Sequence, residues 1–434
     1  MVKWLISSLA SNLLLGLAVA APVEEHKRAA NSPATVAAHQ VLSLSRQLSP
    51  RPGLTLGSKF RNLRAFATAA DPQPAGLDIA LPAYQQVEYL LNVTAGGNNY
   101  SLIIDTGSSD TWFVKSGFQC YDYRRRPVAL ANCQFGPEFK GDFPGGAIKD
   151  LQFNVSYGNG YSGPNLNGEY GYADLTLAGI TVPKQQIALA TSGYWTGDDI
   201  STGILGLGMP GLTEAYNSSQ ATLNSYGNTI SYSPVVTTMT TALKLPSLFS
   251  LGLSRTPADS FLALGGVPAN VMTGEYTTTP LLTWESSKGG PEYFWYTIQT
   301  DQMVWNSSTI SQQTARSPKA IVDSGTTLNY LPTQIADAIN NAFVPRAVYD
   351  PDVGGYVTSC NATAPAFGIK IGGQMIWTEP SNMILPQLKN RQGKCLTGIT
   401  DTSEEPYILG DTFMQGLVAV FDIGKLEMRF AKRV

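Results

Sequence analysis

Histidine is nearly missing from this chain: 434 residues hold only His26 and His39. Both fall in an N-terminal segment that reads as removable. The body then offers no imidazole for a Ser-His-Asp or Cys-His nucleophilic site, and none for a histidine-ligated metal. Chemistry run by this sequence has to use carboxylates, hydroxyls, amines or backbone. Cysteine is scarce too. The four present include no Cys-x-x-Cys pair, which argues against zinc, the competing use of such residues. If near neighbours join, Cys120 pairs with Cys133 and Cys360 with Cys395, closing two separate loops as suits an oxidising compartment. Charged residues make up only 14% of the chain against 43% hydrophobic, a balance that excludes disorder and, at this length, predicts two or three domains with real cores.

Long hydrophobic runs are absent after the first twenty residues. There Lys3 precedes an apolar stretch over residues 4–19, and "AVA" at 18–20 supplies the small residues of a signal-peptidase site. The stretch is shorter than the ~20 apolar residues a membrane span requires. The chain ends "RFAKRV", with no hydrophobic tail of the lipid-anchor kind. Residues 1–20 are therefore expected to be a signal peptide, and the mature product a soluble, secreted, extracellular monomer without a membrane anchor. Asn-x-Ser/Thr sequons at Asn92, Asn99, Asn154, Asn217, Asn306 and Asn361 agree with export as candidate glycan acceptors.

Charge is unevenly placed. Residues 1–70 carry eight Lys or Arg and two Asp or Glu, which leaves 21 basic and 30 acidic side chains in the rest. An anionic body makes nucleic acid an unsuitable partner. Lys27-Arg28 is a dibasic pair of the kind processing proteases cut, and "SRQLSPRPGLTLGSKFRNLR" at 45–64 mixes cations with scattered apolar residues. Residues 21–70 read as a basic pro-segment held to the body by Coulomb attraction, with Lys59 or Arg61 as contacts; a flexible basic linker is the plainer alternative.

The body reads as all-β. Runs such as "EYLLNV", "YSLIID", "LQFNVSYG", "ADLTLAGITV", "FWYTIQTDQMVW" and "LVAVFDI" are separated by Gly, Asn, Asp and Pro. The clearest helix is "TQIADAINNAF" at 333–343, with Thr333 expected as its N-cap.

An internal repeat organises the body. An aliphatic run meets Asp-Thr-Gly-Ser at 105–108, and "GILGLG" follows at 203–208; a second aliphatic run meets Asp-Ser-Gly-Thr at 323–326, and "YILGDTF" follows with Gly410. A single acidic turn of this kind occurs by chance as a β-turn cap. Two, each behind an aliphatic strand and each followed by Ile-Leu-Gly, imply two copies of one lobe that bring Asp105 and Asp323 together. Carboxylates about 3 Å apart cannot both ionise, because their repulsion is ~4 to 5 kcal/mol at an effective dielectric near 20, roughly three pK units. They share one proton and titrate as a pair. The ionised member can then deprotonate a water while the protonated member donates to a carbonyl oxygen. Gly107 and Gly325 would let backbone N–H groups approach the carboxylates, and Ser108 and Thr326 would donate hydroxyl hydrogen bonds to their outer oxygens.

These residues resemble the pepsin-like aspartic proteases, in particular their secreted fungal branch, over essentially all of 75–434. The matches are "DTGSSDTW", "VSYGNG", "GILGLG", "AIVDSGTTL", the Cys360/Cys395 pair and "YILGDTFMQGLVAVFD". The resemblance implies a bilobal all-β fold, two similar β lobes with an intervening cleft and a β-hairpin flap. It places the N-terminal lobe at 71–256 and the C-terminal lobe at 257–434. It makes Asp105 and Asp323 catalytic in an acid endopeptidase, made as a zymogen, that takes peptide or protein substrates and has its own pro-segment as intramolecular inhibitor. Cofactor and metal are not expected. The second motif is usually Asp-Thr-Gly in this family; Ser324 keeps the hydroxyl and loses a methyl.

By the same resemblance "VSYGNGYSG" at 155–163 is the flap, with Tyr157 bonded to the indole of Trp112, and with Gly158, Asn159 and Thr327 among the flap and cleft residues. The flap is longer than in pepsin. So is the Cys120–Cys133 loop, whose Arg124, Arg125 and Arg126 could bias substrate choice or merely solubilise it. A non-catalytic peptide-binding or inhibitor relative is the alternative reading, and such relatives usually lose a catalytic aspartate or the flap tyrosine. A carbohydrate-active pair of carboxylates would not predict the duplicated frame.

Overall fold

Alternation of side chains along the central strands divides them between two cores. The structure, a computed structural model, describes residues 40–43, 45–47 and 88–434, apart from 158–163, 178, 256–259, 270, 287–288, 306–317 and 404. In the strand Glu88–Ala95, Tyr89, Leu91 and Val93 enter the largest apolar cluster while Leu90 points into a second one beneath Trp112. In Asn98–Asp105, Leu102 and Ile104 join the first and Ile103 the second. A one-residue slip would exchange the two sets, so burial on both faces fixes the register.

Ten strands form the sheet around Asp105, and five form the one around Asp323. The repeat seen in the sequence is a repeat of topology. Asn98–Asp105 runs parallel to Gly203–Gly206, with Asp105 opposite Gly206, and Thr111–Tyr121 returns antiparallel on the other side of that short strand. In the second sheet Lys319–Val322 runs parallel to Tyr407–Leu409, and Asn329–Pro332 pairs antiparallel to it through Tyr330 and Ile408. Each Ile-Leu strand is thus wedged between the two strands that flank an acidic turn. The turn is clamped there: Leu207 N donates to Asp105 O at 2.7 Å, and Asp323 N donates to Leu409 O at 3.1 Å.

A third, six-stranded sheet gathers distant segments, in the order Gln40–Ser43, Phe261–Leu264, Leu248–Gly252, Leu417–Asp422, Glu427–Arg433 and Met272–Pro280. The segment before the body therefore enters the fold. Gln40–Ser43 pairs antiparallel with Phe261–Leu264, and Ser45–Gln47 pairs antiparallel with Glu88–Leu90 at the edge of the ten-stranded sheet. Residues 1–39, with the expected signal peptide and Lys27-Arg28, and residues 48–87, with Lys59 and Arg61, lie outside the described residues.

Both disulfides form between near neighbours, Cys120–Cys133 and Cys360–Cys395. Among the described residues no helix is long and apolar enough to cross a membrane. Some local expectations are corrected. "ADLTLAGITV" is a hairpin, since the strands Asn165–Leu177 and Ile180–Tyr194 turn at Gly179, whose φ of 82° suits glycine. "FWYTIQTDQMVW" contributes to two different sheets, because Thr297–Gln299 pairs with Lys319–Val322 whereas Gln302–Trp305 pairs with Phe367–Ile371. The helix Thr333–Asn341 starts one residue early: Pro332 holds the N-cap position, and the Thr333 hydroxyl donates to Asp401 Oδ2 at 3.2 Å instead of capping.

Candidate active site

The two acidic turns meet face to face. A Cβ built on Gly107 would lie 2.7 Å from Asp323 Cγ, and one built on Gly325 would lie 2.7 Å from Asp105 Cγ. Glycine is required at both positions because each turn backs onto the opposite carboxyl group. The carboxyls are buried and held alike. Asp105 Oδ1 accepts Gly107 N–H at 2.7 Å and its Oδ2 accepts the Ser108 hydroxyl; Asp323 Oδ1 accepts Gly325 N–H at 2.8 Å and its Oδ2 accepts the Thr326 hydroxyl at 2.6 Å.

The residues between them carry a second exchange. Thr106 N donates to Ser324 Oγ at 3.1 Å and Ser324 N to Thr106 Oγ1 at 2.9 Å. Each hydroxyl then donates across to the other strand, Thr106 Oγ1 to Val322 O and Ser324 Oγ to Ile104 O. Thr106 was not singled out from sequence. The signal was the recurrence of a hydroxyl residue at the second position of both motifs.

Burial and mutual repulsion shape the electrostatics. Burial is the first cause that pushes Asp105 well above the usual carboxylate range, with the charge of Asp323 second; the bonds from Ser108 and Gly107 oppose the shift. Asp323 is also raised, by burial, against the pull of Thr326 and Gly325. Such a pair holds a proton donor and a proton acceptor side by side.

The other sequence-predicted residues have partners of their own. Trp112 Nε1 donates to the Tyr157 hydroxyl at 2.6 Å, both rings are fully buried, and Trp195 packs edge-on against each. Thr327 is buried in the second turn, its carbonyl accepting from the N–H and the hydroxyl of Thr412 at 3.0 Å. Gly158 and Asn159 lie outside the described residues.

One polar cluster escaped sequence reading. Asp110, five residues beyond Asp105, accepts from the hydroxyls of Tyr170 at 2.6 Å and Tyr232 at 2.7 Å, and from Glu214 N–H at 2.9 Å. Glu214 in turn accepts from the Tyr216 hydroxyl at 2.7 Å. Burial, aided by the charge of Asp110, pushes Glu214 up to about 8. These partners are 60 to 122 positions from Asp110, so no local pattern announces them.

Two acidic turns of one frame, interlocked face to face in a duplicated β architecture, define the aspartic protease class. The eukaryotic aspartyl protease family model matches residues 88–433. The chain is 36% identical to a probable aspartic-type endopeptidase of Aspergillus fumigatus over 358 residues, 80% of this chain and 78% of that one. It is 28% identical to an acid protease of Saccharomycopsis fibuligera over 98% of both, and 26% identical to aspergillopepsin-1 of Emericella nidulans over 83% of this chain and 82% of the relative. The crystal structure of an aspartic proteinase from Irpex lacteus shares the fold, with a TM-score of 0.60 at 23% identity, covering 80% of this chain and 94% of that one. The chain belongs to the eukaryotic aspartyl protease family, in its pepsin-like fungal branch, and is an aspartic-type endopeptidase with the bilobal all-β fold.

Proposed function

We propose that the protein is a secreted acid endopeptidase, made as a zymogen, in which Asp105 and Asp323 jointly activate a water. The observation that carries this reading is the symmetric clamping of two buried carboxyls on facing turns. With one proton between them, the ionised carboxylate takes a proton from the water as its oxygen attacks the peptide carbonyl. The protonated carboxyl donates its proton to the carbonyl oxygen. A tetrahedral gem-diol results without a covalent enzyme intermediate. Collapse breaks the C–N bond as one diol hydroxyl returns its proton to a carboxylate and the leaving nitrogen receives the other carboxyl's proton. The dyad is restored.

The segment around Tyr157 acts in this reading as the flap over an extended peptide, with Thr327 lining the cleft, between lobes spanning 71–256 and 257–434. The signal-like leader, both disulfides and the sequons support export. Pairing of residues 40–47 with strands of two sheets supports a pro-segment that folds with the body. At neutral pH its cations meet ionised body carboxylates; acid protonates those carboxylates and weakens the attraction.

The test is hydrolysis of denatured haemoglobin from about pH 2 to 7 by the processed protein, beside Asp105→Asn and Asp323→Asn and with pepstatin as a control. Cleavage confined to acid, blocked by pepstatin and lowered at least about a thousandfold by either substitution is expected. Cleavage that survives either substitution would overturn the dyad reading. For the zymogen, a purified precursor that cleaves at acid pH as fast as the processed form, with no lag and no change in mass, would overturn it.

A further inference from the structure

Arg124, Arg125 and Arg126 stand in succession within the Cys120–Cys133 loop, on a body that otherwise carries more acidic than basic residues. The loop is built to hold them. Asp122 N donates to Arg126 O at 2.9 Å and Arg125 N to Asp122 O at 2.8 Å, while Asp122 Oδ1 accepts the backbone N–H groups of both Arg124 and Arg126 at 2.9 Å. Asp122 Oδ2 pairs with the Arg126 guanidinium, at 2.8 Å from Nε and 2.7 Å from its terminal nitrogen. The same bonds, that from Arg126 N–H first, hold the Asp122 carboxyl below its ordinary value, so the brace persists into acid.

The three guanidinium groups are thereby made unequal. Arg126 is neutralised by Asp122. Arg124 lies over the exposed ring of Tyr123, 5.1 Å from its centroid, and Arg125 sits at φ 60°, a conformation that costs a non-glycine residue. Both are exposed, and among the described residues neither has a carboxylate partner. A braced loop thus presents two unpaired guanidinium forks to solvent.

Register places that loop beside the hairpin that carries Tyr157. Tyr121, the last residue of its strand, pairs with Tyr194; Tyr194 pairs with Asn165, and Asn165 with Ser156, the residue before Tyr157. One row across four neighbouring strands therefore joins the base of the arginine loop to the base of the hairpin that carries Tyr157. At ~4.8 Å per strand the two bases are about 15 Å apart. An extended peptide advances ~3.3 Å per residue, so a side chain about four or five positions along it covers that distance.

Resting on the dyad reading, we propose that Arg124 and Arg125 form a subsite for anionic oxyacid side chains of the peptide substrate, several residues from the scissile bond. Planar guanidinium groups pair with carboxylate or phosphate through two parallel hydrogen bonds. The two sources separate by pH. Asp and Glu titrate near 3.9 and 4.3 and lose their charge in acid, whereas a phosphoserine, whose second ionisation is near 6, keeps one negative charge there.

The experiment measures kcat/KM of the processed protein at low salt on a neutral peptide with one cleavable apolar pair. Versions of that peptide carry Asp or phosphoserine three to five residues from that bond on either side. Each protein is scored by its ratio of anionic to neutral peptide, which cancels differences in the amount of folded enzyme. For the wild type, a preference of about three- to tenfold is expected at one of these positions. The Asp preference should fade between about pH 5 and pH 3 while the phosphoserine preference persists. Arg124→Gln/Arg125→Gln should bring both ratios to about one. A wild-type ratio of one at every position, or a double variant that keeps the preference, would overturn the subsite. Failure to cleave even the neutral peptide would count against the dyad reading instead.

Discussion

Thr106 and Ser324 exchange hydrogen bonds across 218 positions of sequence, each accepting the other's backbone N–H at 3.1 and 2.9 Å. The pair sits one residue beyond Asp105 and Asp323, so it sets the distance and tilt of one carboxyl against the other. Ser324→Ala removes one hydroxyl that both donates and accepts in a buried site, leaving Thr106 N–H and Ile104 O unpaired at a cost of about 2 to 4 kcal/mol. We expect a lower melting temperature at acid pH and a kcat loss larger than any change in KM, since substrate contacts are untouched. Ser324→Thr should retain both properties. Calorimetry and peptide kinetics on the two variants check this, and an unaffected kcat in Ser324→Ala would rule out the positioning role.

The Trp112 indole has one partner for its N–H, the Tyr157 hydroxyl at 2.6 Å. Tyr157→Phe leaves that buried donor unsatisfied at about 1 to 3 kcal/mol, so the Tyr157 segment loses its anchor in the N-terminal lobe. A fall in kcat/KM of about five- to a hundredfold is expected, with the folded state preserved by the remaining Trp195 contacts. Peptide kinetics beside near-ultraviolet circular dichroism would separate the two effects, and full activity in Tyr157→Phe would sink the anchor argument.

What the sequence disclosed and what it hid follow from range. The acidic turns were legible because each carboxyl needs its glycine and its hydroxyl within three residues, a frame written twice. The wedge of Gly203–Gly206 between its neighbours was legible only as a recurring Ile-Leu-Gly, since parallel pairing joins segments about a hundred positions apart. The six-stranded sheet had no local signature at all: its strands run from Gln40 to Arg433, and nothing in any one of them names its partner. Asp110 carries no local signal, because its partners Tyr170, Tyr232 and Glu214 come together only on folding.

That last cluster gives the chain an upper pH limit. Glu214 has an ordinary value of 4.5 and is raised to about 8 in the fold, chiefly by burial. A carboxyl raised on folding binds its proton more tightly in the folded state. Its contribution to stability is therefore complete below about pH 4.5 and lost as pH rises through about 8. The full shift would correspond to ~5 kcal/mol, and because Glu214 keeps part of its surface in water we expect about 2 to 3 kcal/mol. Glu88, raised by burial and then by the charge of Asp198, acts in the same direction. Glu214→Gln cannot ionise, so its stability should fall less steeply between about pH 5 and 8 while matching the wild type near pH 4. Chemical denaturation at each pH measures the two slopes. Parallel slopes would mean that Glu214 stays protonated or gains water when the lobe loosens, and that Glu88 sets the neutral limit instead.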